Sequence, residues 1–209
     1  MPRPLLHRRH VLQGGIGIAA WLMQPGVRAQ AAAEPAGASA ADFWRLARAG
    51  GCVFLMRHGA TEAGLGDPPG FRLDDCRTQR NLSEAGRAAS RQLGLRFRDE
   101  GVRLSAVYSS AWCRCLDTAR LAFDPHYPAH QIWPALNSFF QGQGDAAAQT
   151  REVLQRVATL HPPDNWMLVT HQVNITALTG AFPAMGEVFL TRADPQRPDR
   201  LSLLARLPA

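Results

Sequence analysis

Two short apolar runs in this 209-residue chain each end on a histidine, and they limit the fold more than any other feature. The first, "CVFLM" at 52–56, follows Gly50 and Gly51 and runs into Arg57 and His58. The second, "NWMLVTH" at 165–171, closes on His171. An uninterrupted apolar run this short has no polar face and is too brief for a buried helix, so "CVFLM" reads as a central strand covered on both sides. Strands of that kind belong to parallel sheets sandwiched between helices.

The intervening segments supply the helices. "ADFWRLARAG" at 41–50 puts Phe43, Leu46 and Ala47 on one helical face and stops at the paired glycines. Residues 59–81 are rich in Gly, Pro and Asp and read as a long loop. Ser83 then offers an N-cap to the helical pattern of "EAGRAASRQLGLRFRDEG". "LSAVYSS" reads as a strand, "AWCRCLDTARLAF" as a helix and "HQIWPAL" as a third short strand. "DAAAQTREVLQRVATL" and "VNITALTG" are helical, and "GEVFLTR" and "RLSLLARL" form a terminal pair of strands. This alternation predicts one α/β domain over 41–209, a three-layer α/β/α sandwich with a mostly parallel central sheet.

The N-terminus reads as an address. "HRRHVLQGGIGIAAWLMQPGVRAQA" has a basic start, a short Gly-rich apolar stretch and small residues at Ala29 and Ala31. Arg8-Arg9 ahead of that stretch resembles a twin-arginine export signal. The expectation is a signal peptide at 1–31, a flexible tether at 32–40, and a periplasmic mature protein with no membrane attachment after cleavage. Arg3, Arg8, Arg9 and Arg28 all lie in this segment, which has no acid, so the formal charge of +6 falls to +2 for the remainder. All 23 cationic side chains are arginine. No dense basic stripe is left, and no nucleic-acid partner is expected.

The four cysteines, Cys52, Cys76, Cys113 and Cys115, have the wrong spacing for a zinc cluster, and no metal is expected. Cys113 and Cys115 are too close on a helix to bond each other. Cys113 either packs, or takes part in redox control or a bond to Cys76.

Ligands of parallel sheets bind outside the C-terminal ends of the strands. Arg57-His58, Ser109-Ser110 and His171 all fall at such ends. Three segments there, with a fourth nearby, carry a resemblance. "LMRHGATE" resembles the Arg-His-Gly-x-Thr motif of the histidine phosphatase superfamily, which has the phosphoglycerate-mutase-like fold. "YSSAWCRCLDTA" is similar to its Ser-Ser-x-x-x-Arg-x-x-x-Thr-Ala stretch, with Ala111 where Pro is usual. "LVTHQVNITAL" looks like the segment with the second histidine, and "NLSEAGRAAS" like a helix start of the family.

The resemblance implies roles. His58 would be the nucleophile that takes a phosphoryl group on a ring nitrogen. Arg57 and Arg114 would hold the non-bridging oxygens, and His171 would donate to one of them, with Gln172 beside it among the substrate-binding residues. The chemistry is sound without a cofactor, because two guanidinium forks and an imidazole donor neutralise spread negative charge. Neutral imidazole is a competent nucleophile near pH 7. Gly59 would let backbone approach the phosphate, and the N-terminus of the helix carrying Arg114 would attract it.

The chain departs from the family pattern at the proton donor. "PALNSFFQG" has Asn and Ser where one branch has Glu, and Gln172 stands where another has Asp. Among the loop carboxylates Glu62, Asp67, Asp74 and Asp75, the expected general acid is Asp75, with Glu62 next. The charged run "FRLDDCRTQRNL" either builds a substrate pocket or closes the loop as an ion-pair network. The expected function is a metal-independent phosphatase for a small phosphorylated substrate, acting through phosphohistidine. The alternatives are a non-catalytic phosphate-binding module on the same fold and a phosphoglycerate-type mutase.

Overall fold

The computed structural model describes residues 39–209; the expected signal segment and residues 32–38 of the tether lie outside the described residues. The first helix, α1 (Ala40–Ala49), is fixed by a capping box in which the Ser39 side chain accepts from the Asp42 amide and Asp42 reaches back to the Ser39 amide. Trp44 is buried beside Phe43 and Ala47. The remaining elements are β1 (Cys52–Arg57), α2 (Glu84–Asp99), β2 (Ala106–Ser109), α3 (Cys113–Ala122), β3 (Gln131–Ile132), α4 (Ala146–Val157), β4 (Asn165–Thr170), α5 (Gln172–Thr179), β5 (Val188–Ala193) and β6 (Leu201–Leu207).

The six strands form one sheet in the order β3-β2-β4-β1-β5-β6. The pairs β2–β3, β2–β4 and β1–β4 are parallel, while β1–β5 and β5–β6 are antiparallel. Side-chain alternation along β1 splits the core in two. Phe54 and Met56 pack with Phe43, Phe97 and Phe123 of the α1–α3 layer. Val53 and Leu55 pack with Val153, Ile175 and Leu178 of the α4–α5 layer. Every apolar residue of "CVFLM" is 1% exposed or less, which is what a polar-free strand requires. The sandwich is therefore the three-layer α/β/α arrangement expected from the sequence.

The third strand is shorter than "HQIWPAL" suggests. Only Gln131 and Ile132 pair, at the exposed sheet edge, before Pro134 opens a 3₁₀ turn over Pro134–Leu136. Proline has no amide to give to a ladder, so the strand cannot continue through it.

Glycine sets the helix spacing. A Cβ at Gly94 would lie 1.8 Å from the Ala122 carbonyl oxygen, so α2 and α3 touch backbone to backbone there. A Cβ at Gly86 would lie 2.0 Å from the Ala60 carbonyl oxygen, so α2 also presses directly on the loop that leaves β1.

Candidate active site

Strand register builds this site. Arg57 pairs with Thr170, and Ser109 with Val169, so β1, β4 and β2 end nearly level. The residues that follow Arg57 and Thr170 are His58 and His171, and their rings stand 5.5 Å apart, edge to face. Both are buried, as is Arg114 on the first turn of α3. Arg57, His58, Arg114, His171 and Gln172 line a single pocket of about 120 Å³.

His58 has a defined tautomer. Its Nδ1 lies 2.9 Å from the Gly59 carbonyl oxygen, which only accepts, so Nδ1 carries the proton. Nε2 is left as the lone-pair nitrogen. Burial, reinforced by the positive field of Arg114, Arg57 and Arg80, lowers the His58 pKa to about 3. His171 is pushed well below its ordinary value by burial, then by His58, Arg114 and Arg57. Both imidazoles are neutral at physiological pH. The Ser110 hydroxyl lies 2.9 Å from His171 Nε2, and 3.2 Å from the Asn137 Oδ1 that accepts from it. Arg114 Nη2 reaches His171 Nδ1 at 3.5 Å.

Three guanidiniums face this pocket. Besides Arg57 and Arg114, the loop residue Arg80 lines it. Arg57 is placed by donation to the Pro183 carbonyl at 3.0 Å, and Arg80 by donation to the Gly64 carbonyl. Burial and mutual repulsion lower the pKa of Arg57 and Arg80. The Nε atoms of all three arginines are buried without a protein partner. Against these charges stands one carboxylate lining the pocket, Asp67. Its Oδ1 accepts from Arg114 Nη1 at 2.7 Å and from the Arg80 amide at 2.9 Å, and its Oδ2 accepts from Trp112 Nε1 at 3.0 Å. Burial opposes its ionisation, but these donors prevail and hold its pKa below the usual value.

Several contacts fix the cradle. The Thr118 hydroxyl accepts from the Gly59 amide at 3.0 Å and donates to the Arg114 carbonyl at 2.7 Å, one turn back. It thus ties the nucleophile loop to the helix that carries Arg114. A disulfide joins Cys76 in the long loop to Cys113, next to Arg114, while Cys52 and Cys115 are free and buried. Gln79 completes the tie by accepting from the Cys113 amide at 2.9 Å and donating to the Arg72 and Leu73 carbonyls.

The structure differs from the sequence reading in four places. Asp75 does not line the pocket. It caps the 3₁₀ turn Cys76–Thr78 and pairs with Arg77 and Arg72, so this part of the charged run closes the loop on itself, while Phe71 and Arg80 of the same run line the pocket. Glu62 is exposed and also outside the pocket lining. Gly59 gives its amide to Thr118, and a Cβ there would sit 3.0 Å from the Ser90 hydroxyl, so its smallness serves packing against α2. The Cys113 amide at the start of α3 is taken by Gln79 and is not offered to an anion, and α5 as well as α3 sets first-turn residues, Gln172 and Val173, against the pocket. Sequence reasoning named Asp67 only as one of four loop carboxylates, and Arg80 only as part of the charged run read as a pocket or an ion-pair network, and singled out neither. Their only signal was the charge density of the loop, which does not say which charges turn inward. Of the adjacent Phe139 and Phe140, Phe140 lines the pocket and Phe139 does not.

The model of the histidine phosphatase superfamily (branch 1) matches residues 53–145. The protein histidine phosphatase SixA complexed with tungstate is similar in structure, with a TM-score of 0.55 at 15% identity over 75% of this chain and 96% of that one. A mycobacterial glucosyl-3-phosphoglycerate phosphatase complexed with VO3 gives 0.54 at 16% identity, over 76% and 99%. The alpha-ribazole phosphatase from Shigella flexneri gives 0.50 at 16%, over 74% and 95%. No curated protein sequence matches the chain. Such identities show the fold, and the family model adds the residues at its functional edge. The match over residues 53–145 and the shared fold make this chain similar to the histidine phosphatase superfamily, branch 1.

Proposed function

We propose that this protein is a phosphomonoester hydrolase that works through a covalent phosphohistidine on His58. The observation that carries the reading is the His58 tautomer: Nδ1 is committed to the Gly59 carbonyl, and Nε2 has no protein partner among the described residues. A neutral ring with a free lone pair, beside three guanidiniums, suits attack on a phosphoryl dianion. The pocket holds about four water volumes, a size that fits an oxyanion. Tungstate and VO3 are held by two proteins of this fold.

Nε2 attacks phosphorus as the bond to the leaving oxygen breaks. Arg57 and Arg114, joined by Arg80, neutralise the non-bridging oxygens where charge is greatest. His171 supplies a further donor once its Nδ1 carries the proton, a tautomer in which the Ser110 hydroxyl turns its one proton from Asn137 Oδ1 to His171 Nε2. Water then attacks the phosphohistidine, the N–P electron pair returns to Nε2, and phosphate leaves. The arginines supply the positive charge, and no metal takes part.

Export belongs to the same proposal. The Arg8-Arg9 segment supports it, and the Cys76–Cys113 disulfide suits an oxidising compartment.

Release of phosphate from p-nitrophenyl phosphate tests the reading, with turnover expected unchanged in EDTA and competitively inhibited by vanadate. Binding of vanadate with no turnover of any phosphate ester would instead favour the non-catalytic phosphate-binding module. The engagement of Asp67 by Arg114 is the observation that keeps that second reading in play.

A further inference from the structure

We propose that the substrates are aryl-type phosphate esters, whose leaving group is a weakly basic oxygen on a flat apolar body. The inference rests on the phosphatase reading and adds the leaving-group class to it.

The first support is the state of Asp67. A general acid must bring a proton to the leaving oxygen. Asp67, the carboxylate of the pocket among the described residues, accepts three hydrogen bonds and lies against Arg114, so it is ionised. Protonating it would release Arg114 from its place. Its chemistry is to position a guanidinium, not to donate. Asn137, after the 3₁₀ turn Pro134–Leu136, is likewise committed: its Oδ1 accepts from the Ala111 amide and the Ser110 hydroxyl, and its amide is not an acid. The other polar side chains of the lining, Ser138, Gln141, Gln143 and Gln172, are not acids at neutral pH.

With charge neutralised at the non-bridging oxygens and no acid at the fourth, the step balances in one way. His58 Nε2 forms the N–P bond, the P–O bond breaks, and the leaving oxygen keeps the electron pair. It departs as an anion and takes a proton from solvent afterwards. A phenolate supports that charge; an alkoxide does not.

The second support is the pocket mouth. Leu65 is 86% exposed and Phe140 39%, and both line the pocket with Phe71 and Trp112. The two sides of the mouth meet at Gly66, where a Cβ would lie 3.3 Å from Gln141 Oε1 and 3.8 Å from the Phe140 ring. Gln141 holds a left-handed backbone (φ 56°) that a side chain rarely adopts, so this rim is held in a specific shape. An apolar rim above a cationic floor matches an aromatic body carrying a phosphate.

The test is a leaving-group series with the wild-type protein: p-nitrophenyl, 1-naphthyl and phenyl phosphate against glycerol phosphate. A missing general acid costs on the order of 10²–10⁴-fold, so kcat/KM should fall by that much from the nitrophenyl ester to the alkyl ester. Rates within about tenfold across the series would overturn the inference and leave the phosphatase reading standing. Failure to turn over any member would overturn the phosphatase reading and the inference with it. The rim is tested separately with the Leu65→Asn/Phe140→Asn variant. It should raise KM for 1-naphthyl phosphate severalfold while the inhibition constant of inorganic phosphate stays the same. An unchanged KM, or an equal loss for phosphate, contradicts the role given to the rim.

Discussion

Asp67 Oδ1 lies 2.7 Å from Arg114 Nη1, and both side chains are buried. A buried ion pair of this kind owes its worth to being intact. Removing one partner strands the other charge and typically costs about 3–5 kcal/mol. Asp67→Asn should therefore lower stability in urea and displace Arg114. The loss in kcat/KM should be equal for nitrophenyl and phenyl phosphate, because Asp67 positions a cation and donates no proton. A loss concentrated on the poorer leaving group would make Asp67 a general acid instead.

The disulfide should matter for the same element. Cys76 and Cys113 are 37 residues apart, and closing a loop of that length is worth about 4 kcal/mol in the chain-entropy picture. Cys76→Ser should lower the urea midpoint in non-reducing buffer and abolish its sensitivity to dithiothreitol. Equal midpoints for wild type with and without reductant would show that the bond contributes nothing.

Glycine spacing gives a sharper steric expectation. Gly86→Ala sets a methyl against the Ala60 carbonyl, and neither helix nor loop backbone has a flexible end to move. Overpacking of this sort costs about 1–3 kcal/mol or more. Because Ala60 lies two residues from His58, activity should fall along with stability. A variant with native stability would mean that α2 shifts freely.

The pH dependence follows from the buried imidazoles. A His58 pKa near 3 when folded, against about 6.5 when unfolded, means the folded state binds fewer protons between those values. Its contribution to stability is therefore fully present above about pH 6.5 and is lost as pH falls towards 3. The direction for His171 is the same. Urea unfolding of wild type and His58→Gln from pH 7 to pH 4 should show a shallower loss for the variant. Parallel curves would mean that His58 is not held neutral by the fold.

Much of this arrangement is legible in the chain. The polar-free run Cys52–Met56 leaves few options besides a central parallel strand, and register then places His58 and His171 together. Ser83 and Gly180 mark helix ends through capping chemistry that works locally. The loop at 59–81 was not legible, since Asp67, Asp74 and Asp75 differ in sequence only by position. What separates them is tertiary: Asp67 meets Trp112 and Arg114 from a distant helix, whereas Asp75 is satisfied by Arg72 and Arg77 next to it. Thr118 shows the same limit, because its bond to the Gly59 amide spans 59 residues.

The central claim is that His58 Nε2 carries the phosphoryl group, and rapid quench with a ³²P-labelled aryl phosphate tests it most directly. Wild-type protein should yield an acid-labile, base-stable label, as a phosphoramidate does. His58→Ala, folded by circular dichroism, should show neither label nor turnover while still binding vanadate through Arg57 and Arg114. Turnover near the wild-type rate in His58→Ala would contradict the account, and water would then have to attack a phosphate held in the same cradle.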